Sequence, residues 1–170
     1  YLQDVFHLAP VQVGNILLGM TFGMIAGPPC YGHLSRMMGG RARPLILFSV
    51  FTSTVLLILQ ALFGVEHVWL AAILMMAHGF LGSCATLNYA ASRAAVPQHL
   101  IGRALTTVNL ATFGGLFVLQ GLAGVIIGQY RSDQAIAGYQ WMFAFLGIGL
   151  GLAGIAFLVG GRRRKAVKNG

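Results

Sequence analysis

Five long apolar runs, separated by short polar links, divide this chain. They cover about residues 11–31, 44–63, 68–92, 104–128 and 139–161, and none contains Asp, Glu, Lys or Arg. A helix rises about 1.5 Å per residue, so roughly twenty residues match the ~30 Å hydrocarbon core of a bilayer. In lipid only helices and closed barrels satisfy every backbone group, and the strict alternation of barrel strands is absent here. The pattern therefore predicts an all-α fold, a polytopic membrane helix bundle with five transmembrane helices.

The runs differ in their polar content. Pro10 stands where the first turn of a helix tolerates proline. Gly19, Gly23 and Gly27 then recur every four residues, a spacing that leaves a smooth groove for a neighbouring helix. Pro28 and Pro29 are expected to break or kink the end of this first span. The second run has no glycine and only hydroxyls and Gln60 as polar groups, which predicts a lipid-facing helix. The third carries His78, Ser83, Thr86, Asn88 and Tyr89. The fourth holds Asn109, Thr112 and Gln120, with Gly124 and Gly128 at packing distance, and the fifth opens with Tyr139 and Trp141 at interfacial depth.

The links set the topology. Gly32 to Leu45 forms a short basic hairpin bearing Arg36, Arg41 and Arg43. Counting Lys and Arg link by link gives three, none (64–67), two (Arg93 and Arg103), one (Arg131) and five in the tail. By the positive-inside rule the chain starts outside, crosses five times, and ends in a cytoplasmic basic tail at 162–170, placing it in the inner (plasma) membrane. Charged residues make up only 8% of the 170 and apolar residues 57%. That surface is wrong for a soluble domain. The net charge of +8 sits in short loops without interleaved aromatics, so nucleic acid is not an expected partner. Cys30 and Cys84 fall inside apolar runs and indicate no redox compartment. A start at Tyr1 without a signal peptide predicts a fragment of a longer protein.

Candidate chemistry is sparse. His78 lies about 15 Å into the third span, near mid-membrane. Helical spacing puts His78, Gly82, Thr86, Tyr89 and Arg93 on one stripe. A buried imidazole there binds solute, relays a proton, or is a neutral side chain bonded to another helix. Asn109 and Gln120 share a stripe on the fourth span with Phe113 and Leu116, and their amides bond either a polar solute or a neighbouring helix. Asn15 and Thr21 on the first span read the same way. Arg93 and Arg103 are expected to anchor their turn. The run Gly149 to Gly154 fits a dinucleotide pattern, but no strand precedes it. No metal-binding, catalytic or phosphate-loop motif occurs, so neither cofactor nor enzyme chemistry is expected. Asp4, Glu66 and Asp133 all fall in links, which leaves no carboxylate within a span.

The basic hairpin carries a resemblance. Gly32, Leu34, Gly39, Arg41 and Arg43 match the pattern Gly-x-Leu-Ala-Asp-Arg-x-Gly-Arg-Arg of the major facilitator superfamily, with Arg36 at the Asp position and Met37 at the following Arg. This resembles the degenerate second copy of that motif, between the eighth and ninth helices. Pro97 to Ala104 and Gly138 to Trp141 resemble the family's later links. The resemblance implies helices eight to twelve of the C-terminal half, with eight, ten and eleven facing a central cavity and nine and twelve outside. It also implies a secondary active transporter moving a small solute by alternating access. The partners so implied are the solute, the lipid bilayer, the missing N-terminal half and a coupling proton or ion. The alternative is a non-transporting multi-pass scaffold or assembly protein.

Overall fold

Apolar length and two kinds of helix stop shape the backbone. The computed structural model describes residues 1–130 and 134–168, with side chains through residue 160. The Arg131 and Asp133 link and the side chains of the expected basic tail lie outside the described residues. A short α1 (Leu2–Phe6) leads into α2 (Pro10–Met37), α3 (Ala42–Phe63), α4 (Val68–Gly82) and α5 (Ala85–Ala94). A single 3-10 turn (Gln98–Leu100) then precedes α6 (Ile101–Gly128) and α7 (Ala135–Lys168), and no strand occurs among the described residues. Five helical stretches are long and apolar enough to cross a membrane, with α4 and α5 together forming one of them.

The prolines do not stop α2. Pro28 and Pro29 lie inside a helix that continues to Met37, so the basic hairpin is shorter than expected, and Gly32, Leu34 and Arg36 are helical. What ends α2 is a pair of glycines. Gly39 and Gly40 have φ of 65° and 76°, a region in which a Cβ is strained. The Gly40 amide donates to the Ser35 carbonyl at 2.8 Å and the Gly39 amide to Arg36 at 3.0 Å. These are the two bonds of a Schellman stop.

Close packing follows the glycines. Lipid tails are as apolar as leucine, so helices in a bilayer associate through intimate contact rather than burial from water. A Cβ on Gly23 would lie 2.9 Å from the Met76 carbonyl oxygen, and one on Gly27 only 1.7 Å from Ser83 Oγ. Gly79 of α4 answers from the other side, where a Cβ would stand 2.6 Å from the Met20 carbonyl oxygen. The groove of α2 therefore holds α4. A second glycine seam joins α7 to α3: added Cβ atoms on Gly147 and Gly154 would come within 3.0 Å of Ile58 Cδ1 and 2.8 Å of Val50 Cγ1. Gly151 and Gly154 of the apparent dinucleotide pattern thus belong to a helix contact. Gly124 and Gly128 have nothing within 4 Å, so the packing expected at that pair is absent.

The second span corrects its expectation more fully. Far from facing only lipid, α3 packs against both α7 and α4 and buries Ser49, Ser53 and Gln60. These polar residues form one stripe on an otherwise apolar helix, and that stripe faces the interior. At the basic end of the helix, Arg43 Nη2 donates to the Leu158 carbonyl at 2.8 Å and lies over the Phe157 ring. It ties the start of α3 to α7.

The third span is interrupted. The amides of Ser83, Cys84, Thr86 and Leu87 bond carbonyls three residues back rather than four, tightening one turn to 3-10 geometry between α4 and α5. Hydroxyls stabilise the break. Ser83 Oγ donates to the Phe80 carbonyl at 2.6 Å. Ser49 Oγ donates to the Leu81 carbonyl at 2.6 Å and accepts from the Tyr31 hydroxyl at 3.2 Å. In a bilayer a freed carbonyl needs such a partner.

Candidate functional site

The break separates residues that simple periodicity places together. Each 3-10 residue turns about 120° rather than 100°, so the stripe beyond Ser83 rotates away from the one before it. Thr86, Tyr89 and Arg93 face outward from α5, where with Ala90 and Ala94 they line a groove of about 620 Å³. His78 does not reach that groove.

On the α5 and α6 side, the Tyr89 hydroxyl donates to Asn109 Oδ1 at 2.6 Å, the one side-chain bond between these helices among the described residues. The Thr86 hydroxyl is engaged with the Ser83 carbonyl at 3.0 Å. A second groove, of about 490 Å³, includes Asn88, Ser92 and Thr112. No residue of α6 is buried, and Phe113 and Phe117 stand 66% and 78% exposed. This face is broad and open. It combines a hydroxyl, an amide and the Arg93 guanidinium within an apolar surround, a set able to hydrogen-bond a polar or anionic guest.

His78 instead lines a separate cavity of about 120 Å³ with Gln60, walled by Met20, Leu74, Met75 and Phe143 among others. Its Nδ1 is buried without a partner, and so is Gln60 Oε1. Gln60 Nε2 donates to the Tyr1 hydroxyl at 2.8 Å, and that hydroxyl donates in turn to the Gly64 carbonyl. Tyr139 donates to the Asp4 carboxylate beside it. Gln60 was legible as the polar residue completing the Ser49 and Ser53 stripe.

The remaining candidates do not join either group. Asn15 is exposed on α2, and the Thr21 hydroxyl bonds its own helix at the Leu17 carbonyl, 2.9 Å away. Gln120 is exposed on α6, about 16 Å along the helix from Asn109. Of the basic motif, only Arg43 makes a side-chain hydrogen bond among the described residues, and a Cβ on Gly32 would meet no other helix within 4 Å. The described residues contain no cluster of three His, Cys, Asp or Glu suited to a metal.

Comparison with known proteins agrees with this architecture. The Major Facilitator Superfamily family pattern matches residues 1–170. No curated protein and no solved structure matches the chain. With five membrane-capable helices, glycine-seamed packing and a family match over its whole length, this multi-pass membrane chain belongs to the major facilitator superfamily of transporters.

Proposed function

We propose that the chain forms one wall of a solute pathway in a secondary transporter, with Tyr89 and Asn109 as its hydrogen-bonding centre and Thr86 and Arg93 beside them. One observation carries this reading. The Tyr89 to Asn109 bond lies on an open face of α5 and α6 that nothing else among the described residues covers, although every span is apolar enough to require lipid or protein against it. A second half of the same transporter supplies that cover. Tyr89 lies eleven residues, about 16 Å, beyond the mid-membrane His78, so the small solute then binds between the halves toward the end of the pathway that bears the Arg93 turn, and rocking of one half against the other exposes it to each side alternately. The basic hairpin and tail place both on the cytoplasmic side of the cell's inner (plasma) membrane.

In this reading the protein performs no covalent chemistry. The side chains need only bind, release and exclude water. Gln120, farther along α6, and Asn15 and Thr21, on the separate exposed face of α2, contribute secondary contacts to the solute path in this reading.

The test uses the full-length protein that carries this chain, reconstituted into liposomes and offered a panel of small polar and anionic solutes. Tyr89→Phe and Asn109→Ala are expected to reduce uptake of whichever solute accumulates by roughly tenfold, about 1.4 kcal/mol for one lost hydrogen bond. Membrane insertion should be unaffected. Undiminished uptake in both variants would remove this face from the pathway, and failure of any solute to accumulate would favour a scaffold role.

A further inference from the structure

The donors and charges left over on the α5 and α6 face narrow what it can hold. The inference rests on the reading of that face as a solute wall and goes on to the chemical class of the solute. Two hydroxyl protons are already spent within the chain: Tyr89 donates to Asn109 Oδ1 at 2.6 Å and Thr86 to the Ser83 carbonyl at 3.0 Å. Asn109 keeps the hydrogens of its Nδ2 for a guest, and the guanidinium of Arg93 adds a planar fork of donors. What remains is donor-rich. A guest bearing acceptors matches it, whereas an ammonium would meet no carboxylate there.

The charge balance agrees. Arg93 lines the groove with Thr86, Tyr89, Ala90 and Ala94, and stands one helical turn, about 6 Å, along α5 from Tyr89. No carboxylate pairs with it among the described residues. This end of the bundle carries Arg36, Arg41, Arg43, Arg93 and Arg103 and no acid, while Asp4, Glu66 and Asp133 fall by sequence before α2, between α3 and α4, and between α6 and α7, at the opposite helix ends. Uncompensated charge of one sign raises the local concentration of ions of the other.

Apolar surface continues the groove. Phe113 and Leu116 follow Asn109 on the same side of α6, toward the middle of that helix, and stand 66% and 49% exposed. We propose that the solute is a small organic oxyanion, a carboxylate, phosphonate or sulfonate, held by the Arg93 fork and the Asn109 amide with its apolar part against Phe113 and Leu116. A planar guanidinium meets two oxygens of one such group at once, which a lysine ammonium does not.

The experiment compares probes that share one ring and differ in their head: benzoate, phenylphosphonate, benzenesulfonate, benzamide and benzylammonium. Binding to the full-length protein is read by saturation-transfer NMR in nanodiscs of phosphatidylcholine, with and without added phosphatidylglycerol. The best-bound anion should bind roughly tenfold or more tightly than benzamide, the order expected for a hydrogen bond to a charged group. Arg93→Gln should abolish that preference, Arg93→Lys should keep part of it, and Arg103→Gln, at the same turn but outside the groove, should leave it unchanged. Benzamide or benzylammonium binding as tightly as every anion in the natural protein would overturn the proposal without recourse to a variant. So would an equal loss of preference in Arg103→Gln, which would reduce the effect to the general charge of the turn. Anion binding that vanishes when phosphatidylglycerol is added would assign Arg93 to lipid headgroups and overturn it as well. The uptake assay on Tyr89→Phe and Asn109→Ala does not depend on the charge of the solute, so a failed anion preference leaves that reading standing.

Discussion

Replacing Gly27 with alanine should be among the most damaging single-methyl changes in this chain. The new Cβ would stand 1.7 Å from Ser83 Oγ, 2.6 Å from Ser83 Cβ and 3.0 Å from the Phe80 carbonyl oxygen. Rotating the serine hydroxyl aside removes the first clash but gives up its 2.6 Å bond to Phe80. The second remains. Ordinary contact begins near 3.4 Å, so α4 must still retreat by 3.4 − 2.6, or 0.8 Å, from α2. Overpacking of this kind costs about 1–3 kcal/mol, and the lost hydrogen bond about 1 more. Better helix propensity returns up to about 1 kcal/mol. The expected net loss is about 1–3 kcal/mol, read as a lowered midpoint in reversible unfolding of the full-length protein in mixed micelles. Gly124→Ala, where no atom lies within 4 Å, is the control and should be neutral or slightly stabilising. Adding Ser83→Gly to Gly27→Ala should restore part of the loss. Equal midpoints for Gly27→Ala and Gly124→Ala would refute the argument that helix contact, rather than mere glycine content, governs this seam.

Two further tests follow from the polar contacts. Ser49 is 1% exposed and serves both the Leu81 carbonyl and the Tyr31 hydroxyl, so Ser49→Ala leaves the Tyr31 hydroxyl without its partner and the Leu81 carbonyl with only the Cys84 amide, and should cost about 1–3 kcal/mol in the same unfolding assay; an unchanged midpoint would mean that the broken span satisfies itself. The hydrogen bond from Tyr139 holds the Asp4 carboxyl below its usual range. A depressed folded-state value means the stabilisation is present above the unfolded value of 3.8 and is lost as pH falls through the folded one, so stability should drop on acidification in the natural protein and less steeply in Asp4→Asn. Matching acid profiles would exclude that contact as a source of stability.

The five crossings were legible because apolar length is a near-complete constraint in lipid: few backbones other than a helix survive there. The α2 groove was legible for a related reason, since glycines four apart have little other use in a span. Other features depend on partners that periodicity does not show. Nothing local marks Ser83 and Cys84 as a helix interruption. It exists because Gly27 and Ser49 of two other helices meet it, and the same interruption sends His78 and Thr86 to different surfaces. Pro28 and Pro29 carry a strong breaking signal that the surrounding bundle overrides. The inward face of α3 was misread although its signal was present: Ser49, Ser53 and Gln60 recur at helical spacing, and a polar stripe on an apolar helix seeks protein rather than lipid. Of the site, Tyr89 and Asn109 come together, whereas Gln120, Asn15 and Thr21 stay apart because α6 and α2 expose long faces with no partner among the described residues.

The seam between α3 and α7 has a consequence for biosynthesis. The ribosome makes α3 early and α7 last among the described helices, so Val50, Thr54 and Ile58 wait without their glycine counterparts while three other helices are threaded into the membrane. Arg43 likewise waits for the Leu158 carbonyl. Until translation delivers Gly147 to Gly154, the nascent chain carries an unfinished flank, which is the window in which quality-control proteases of the membrane would find it.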